Sequence, residues 1–257
     1  MNYMNPLIKK IAQSNLAIFF RNLTGIRPVG INTLHIENNC SLSDAFFWRT
    51  SENFITKFKF SDLLKIFFQQ NNTEIQILFY NKNNKLVKDY NIKNLDISNE
   101  IIIDPKFLGG IKDYGVFYIF HKTKQNLTNS IRNSCYLGYS INNSIFSFVH
   151  GNIPVAYKQF NGSRVLNNIV SKSLFKNQVY KIQNYFSDFT KSEIFLNNPT
   201  NRKILFSINK SDFSLNANCS KIVNVSGLEE INIISNCYFL RPIVINYKNN
   251  FFDIYHG

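Results

Sequence analysis

Glycine is scarce in this chain, with ten among 257 residues, and none fall into a Gly-x-Gly-x-x-Gly fingerprint or a Walker loop. Glycine-rich phosphate cradles are therefore excluded. Acidic residues are also few, 16 Asp and Glu, so the paired carboxylates of glycoside hydrolysis have few candidates. Asp44 and Asp253 are the two to consider, and each fits an exposed strand position equally well. Four cysteines, Cys40, Cys135, Cys219 and Cys237, lack Cys-x-x-Cys spacing and the density of a disulfide scaffold. They read as free thiols, and Cys135 and Cys237 are the pair that two packed hairpins would bring together. His-Glu-x-x-His, Gly-x-Ser-x-Gly and EF-hand patterns are absent. No apolar run is long enough to span a bilayer or clean enough for a signal peptide. A soluble, cytoplasmic protein is expected, with no cofactor and no metal.

What the chain does have is apolar and aromatic bulk, 44% hydrophobic with 25 Phe and 13 Tyr. That fills one large β domain or two sandwiches and excludes a disordered chain. Lys and Arg number 29, for a net charge of +13, which invites a polyanion. The surplus is dispersed, however, and its densest point is Lys9-Lys10. It reads as a generally basic surface, and nucleic acid is not the expected partner.

The stretch at 133–152 organises the rest, because the C-terminus repeats its outline. Cys135-Tyr136 matches Cys237-Tyr238, and the segment ending in Val149-His150-Gly151 falls on the one ending in Tyr255-His256-Gly257. Each copy reads as a β-hairpin with an Asn-Asn turn, Asn142-Asn143 or Asn249-Asn250, since Asn tolerates left-handed backbone angles. A second echo sets Asp44–Arg49 beside Cys237–Arg241. The implied architecture is an imperfect repeat of a β-sandwich unit.

Along the chain, residues 6–24 form a helix candidate with Pro6 at its first position and Gly25 at its end, its apolar face docked on the body. A second helix is expected over 61–69 with Ser61 as cap, and a short one within 164–177. Between them lie alternating runs such as Glu74–Tyr80, Lys85–Ile92 and Tyr114–His121, then Val179–Phe186, Ser192–Leu196, Lys203–Ile208 and Lys221–Val225. Few helices and many short strands imply an all-β antiparallel sandwich. The polar segment 122–131 is the candidate boundary, giving a first sandwich unit with the N-terminal helix in 1–125 and a second in 126–257.

His150-Gly151-Asn152 is the most specific polar cluster, because glycine lets backbone approach a ligand while His and Asn supply donors and acceptors. Arg132 and Tyr136, on the partner strand, face the same side on this reading, with Phe146 and Phe148 towards the core. Trp48, Tyr139 and Tyr255 are candidates for a sugar-stacking platform. Trp48, Arg49, Arg241 and His256 complete the ligand-binding set. The expected function is a non-enzymatic binding or accessory protein that recognises a glycan or a partner protein. The competing readings are an enzyme acting on a saccharide or small polar substrate through His150 and Asn152, and a basic polyanion-binding protein.

Overall fold

The computed structural model describes residues 40–257 apart from 126, 128, 134, 152–153, 166–169, 171, 173–176, 184–188, 226–229, 238–239 and 250. Before residue 40 it describes 7, 11, 14, 16, 17, 19 and 20. The first half holds β1 (Cys40–Asp44), β2 (Phe46–Arg49), β3 (Phe54–Ser61), α1 (Leu63–Phe68), β4 (Glu74–Asn81), β5 (Leu86–Lys93), β6 (Ser98–Ile103) and β7 (Tyr114–Lys122). Then come β8 (Ile131–Arg132), β9 (Tyr136–Ile141), β10 (Ser147–His150) and β11 (Pro154–Gln159). The remainder is β12 (Gln178–Gln183), β13 (Lys191–Asn197), β14 (Ile204–Ile208), β15 (Ser211–Leu215), β16 (Ser220–Val225), β17 (Glu230–Ser235), β18 (Ile243–Lys248) and β19 (Phe251–His256). The fold is all-β and sandwich-like, built of five small sheets whose strands pair antiparallel except for β1 with β8.

Two of those sheets, β10-β9-β3-β6 and β2-β7-β4-β5, lie before residue 160, and two more, β19-β18-β13-β16 and β12-β17-β14-β15, follow residue 177. Replacing β2–β7, β9 and β10 in chain order by β12–β19 converts the first pair of orders into the second. The hairpins at 133–151 and 236–257 hold equivalent places, each at the end of a four-stranded sheet. The second echo does not follow this correspondence: Asp44–Arg49 holds β2, whose counterpart is β12, whereas Cys237–Arg241 precedes β18. The first half adds α1 and a sheet of order β11-β1-β8.

Strand pairing does not stop at the expected division, 125/126. β3 pairs with β9, and β1 with β8 and β11, across that point. The polar stretch 122–131 is a connection within the first set of sheets, because β3 needs β9 beside it to satisfy its backbone groups. Pairing passes from one half to the other between β11 and β12. The core itself is continuous through both halves. β2 shows why, being buried at all four positions. Phe46 packs on Phe58 and Phe117 inside the first half, while Phe47 meets Phe195 of β13 at 4.0 Å between ring centroids. Each buried Phe contributes roughly 1.5–3 kcal/mol, so a strand buried on both sides needs the unbroken apolar run that Phe46-Phe47-Trp48 supplies.

Scarce glycine is offset in the turns by asparagine. Among the described residues, nine of the twelve non-glycine positions with positive φ are Asn, including Asn142, Asn143 and Asn249 in the two repeated hairpins. Asparagine visits this region at low cost because its short side chain bonds locally. In α1 the cap is Asp62 and not Ser61: its Oδ1 accepts from the backbone N–H groups of Leu64 and Lys65, both at 3.1 Å, and Thr73 donates to its Oδ2. The described positions of the expected N-terminal helix are helical apart from a bend at Ser14. Leu7, Ile11, Leu16, Phe19 and Phe20 are exposed, while Ile8 and Leu23 of the expected docking face lie outside the described residues. The expected helix in 164–177 falls mainly outside the described residues. The four cysteines form no disulfide, and Cys135 and Cys237, the expected pair, are both buried thiols. Among the described residues no helix is long and apolar enough to cross a membrane.

Candidate functional site

The hairpin of β9 and β10 turns its faces opposite to the expectation. Period-two alternation separates Phe146, Phe148 and His150 from Val149, but it is Val149 that is buried, while Phe148 is 46% exposed and His150 lies at the surface. The inward set is supplied by Val149 with Leu137 and Tyr139 of β9.

Strand register then defines the outer face of the β10-β9-β3-β6 sheet. One row across it reads His150, Tyr136, Lys59 and Glu100, and the next reads Phe148, Gly138, Lys57 and Ile102. Gly138 is required in that position by space, since a Cβ there would lie 2.6 Å from Cε1 of Phe148. The phenyl ring therefore lies across the glycine and stays close to the sheet. Tyr136 is 60% exposed. Lys57 Nζ stands 4.7 Å from the Phe146 ring centroid and Lys59 Nζ 5.8 Å from that of Phe148. Glu100 bridges the two lysines, at 3.1 Å from Lys57 and 3.5 Å from Lys59. The hydrogen bond from Lys57, followed by the lysine charges, holds the Glu100 carboxyl below its usual range. The face thus presents aromatic rings set among charged hydrogen-bonding groups.

At the edge of this face β10 runs alongside β19, and residues aligned by the sequence echo meet. The Ser147 hydroxyl donates to Asp253 Oδ1 at 3.2 Å and accepts from the Ile254 N–H at 3.3 Å. His256 Nε2 donates to the His150 carbonyl at 2.5 Å, and the two imidazoles are 5.0 Å apart. His150 Nδ1 lies 2.9 Å from the Gly151 carbonyl, and since a carbonyl only accepts, Nδ1 is the donor there. Burial, together with Arg241 and His150, lowers the pKa of His256. Gly151 is also a matter of space, because a Cβ would press on the Phe46 ring and come within 2.7 Å of Asp44 Oδ2. Arg132 clamps that carboxylate with Nε at 2.8 Å and Nη2 at 2.9 Å. Burial nevertheless pushes the Asp44 carboxyl up, outweighing the arginine.

His150, Tyr136, His256 and Arg132 are thus brought into one neighbourhood, with Arg132 joined to it through Asp44 and Gly151. Arg241 adjoins His256, its Nε donating to the Gly257 carbonyl at 3.3 Å. Asn152 lies outside the described residues. Trp48 and Arg49 are both buried in the core. The Trp48 indole donates to the Tyr80 carbonyl at 2.9 Å, so neither ring face is open to a sugar. Arg49 is paired with Glu193 and Glu52. Tyr139 is buried as well, with its hydroxyl on the Phe47 carbonyl. Sequence reading missed Lys57, Lys59, Glu100 and Phe148 as site residues. The signal was Phe-x-Phe interleaved with Lys-x-Lys in 57–60, two faces of one strand.

Among the described residues no group of three or more His, Cys, Asp or Glu is placed to hold a metal. His121, the remaining described histidine, is buried within the first half and accepts from Asn133 Nδ2 at 3.0 Å. No protein-family model matches the chain, and no curated protein does. A solved structure described as an anti-sigma factor domain-containing protein aligns over 82% of this chain and 80% of that one, at 8% identity and a TM-score of 0.22. A likeness that slight carries no argument about fold or function.

Proposed function

We propose that this protein is a non-enzymatic binding protein that recognises a glycan on the outer face of the β10-β9-β3-β6 sheet. The observation that supports this most is the exposure of Tyr136 and Phe148 on one flat sheet face, with Gly138 keeping the Phe148 ring low. Aromatic rings suit the apolar C–H face of a sugar, and the surrounding His150, Lys57, Lys59 and Glu100 suit its hydroxyls. The shared strand order of the two halves fits duplication of a sandwich unit. Four free thiols agree with a reducing, cytoplasmic setting.

Screening the full chain against a diverse glycan array, followed by NMR titration of the best saccharide, tests the reading. Tyr136→Ala and Phe148→Ala are expected to weaken binding at least tenfold with the fold intact. Silence across the array would sink the glycan reading and leave recognition of a partner protein as the alternative.

A further inference from the structure

A second site of different chemistry opens where β4, the end of β7 and β11 converge. The cleft there has a volume of about 500 Å³ and is lined by Lys122, Lys124 and Lys158, with Thr123 and Ser163 beside them. Glu74 is the carboxylate among the described lining residues, and it is committed to Lys93 at 3.3 Å.

Among the described residues the three lysines lack direct counter-charges. None of the ion pairs among the described residues includes Lys122, Lys124 or Lys158. Lys158 is only 5% exposed, and its Nζ donates to the amide oxygen of Gln76. Gln76 Nε2 in turn donates to both oxygens of Asp89, each at 2.9 Å. The carboxylate charge is therefore held one amide away from the ammonium. Lys122 Nζ likewise donates to a neutral oxygen, that of Asn91, at 2.8 Å. Burying an ammonium against neutral acceptors is costly. Burial, then repulsion from Lys122, accordingly lowers the pKa of Lys158. An anion entering the cleft relieves both effects, because a single multivalent oxyanion can accept hydrogen bonds from several ammonium groups at once.

We propose that this cleft binds a small ligand bearing a phosphate monoester or sulfate ester, with the oxyanion held by Lys158, Lys122 and Lys124. The remaining volume accommodates the organic part of the ligand. This site is separate from the aromatic sheet face and stands whether or not that face binds a glycan.

Calorimetric titration of the full chain with inorganic phosphate, with sulfate and with a hexose 6-phosphate tests it, the three arms separating the oxyanions and the organic group. Saturable binding of at least one probe, weakening as salt rises, is expected. Lys158→Gln should weaken it at least tenfold. Lys124→Ala, at an exposed position, should weaken it several-fold, and Lys181→Ala, at an exposed position on β12 outside both sites, should leave it unchanged. Failure of all three probes to bind, wild-type affinity in the Lys158 and Lys124 variants, or loss of binding in Lys181→Ala overturns the proposal.

Discussion

Arg49 Nη1 lies 2.5 Å from Glu193 Oε2, and this ion pair joins β2 of the first half to β13 of the second with both side chains buried. Phe54 lies under the guanidinium at 4.2 Å, Tyr247 donates to the same Glu193 oxygen at 2.6 Å, and Lys191 reaches the other at 2.7 Å. Burial alone would raise the Glu193 carboxyl, but the bonds from Arg49, Lys191 and Tyr247 together bring it below its usual range. Removing one partner leaves a buried charge uncompensated, at a cost of about 3–5 kcal/mol, whereas replacing both with apolar groups costs much less. Arg49→Met and Glu193→Leu should each lower stability by several kcal/mol in urea melts, and the double variant by less than their sum. Single variants within 0.5 kcal/mol of wild type would show the pair to be energetically idle.

His121 should make the protein acid-sensitive. It is 1% exposed and burial depresses its pKa to about 4. The unfolded chain therefore takes up this proton first as pH falls. The contribution is fully present above about pH 6.5 and is lost progressively as pH drops towards 4, amounting to about 3 kcal/mol. The difference between wild type and His121→Leu in pH-resolved melts should show this slope. A variant as acid-sensitive as wild type would remove His121 as the cause.

Periodicity made the strands of β4, β5 and β7 and the two repeated hairpins legible, because their apolar alternation and Asn turns are local signals. It was silent about which alternating set points inward. Phe148 in β10 and Phe146 just before it are both apolar, and the choice was made by the packing of Leu137, Tyr139 and Val149, which belongs to the tertiary structure. The boundary at 125/126 was read from polarity alone, and a polar connection looks the same whether the strands on either side pair with each other or not. Arg49 and Trp48 show the limit for site residues, since a chemically able side chain carries no mark of its burial.

Gly115 sits on β7 beside β4, where an added Cβ would collide with the Tyr80 carbonyl oxygen and lie 2.7 Å from the carbonyl carbon of Asn81. These are backbone atoms, and the same Tyr80 carbonyl accepts the Trp48 indole. Neither strand can give way without disturbing that bond. Gly115→Ala should lose on the order of 1–3 kcal/mol from overpacking, read as a lower denaturation midpoint. Unchanged stability would mean that the strands separate more easily than their packing indicates.

The last prediction separates the two strand-ending histidines. His150 is exposed, and its imidazole hydrogen-bonds the carbonyl of its own neighbour, Gly151, so truncating it leaves no buried group unpaired. His256 is mostly shielded and ties β19 to β10 through the His150 carbonyl. Losing that bond costs about 1 kcal/mol, and protonation acts in the same direction. Because burial, Arg241 and His150 lower the pKa of His256, its contribution holds above about pH 6.5, the unfolded value, and declines as pH falls through the folded one. His150→Ala should therefore leave the melting temperature almost unchanged while weakening saccharide binding. His256→Ala should lower the melting temperature at neutral pH and narrow its fall between neutral and mildly acidic conditions. A large loss of stability in His150→Ala, with binding retained, would reassign that imidazole from ligand recognition to the hairpin itself.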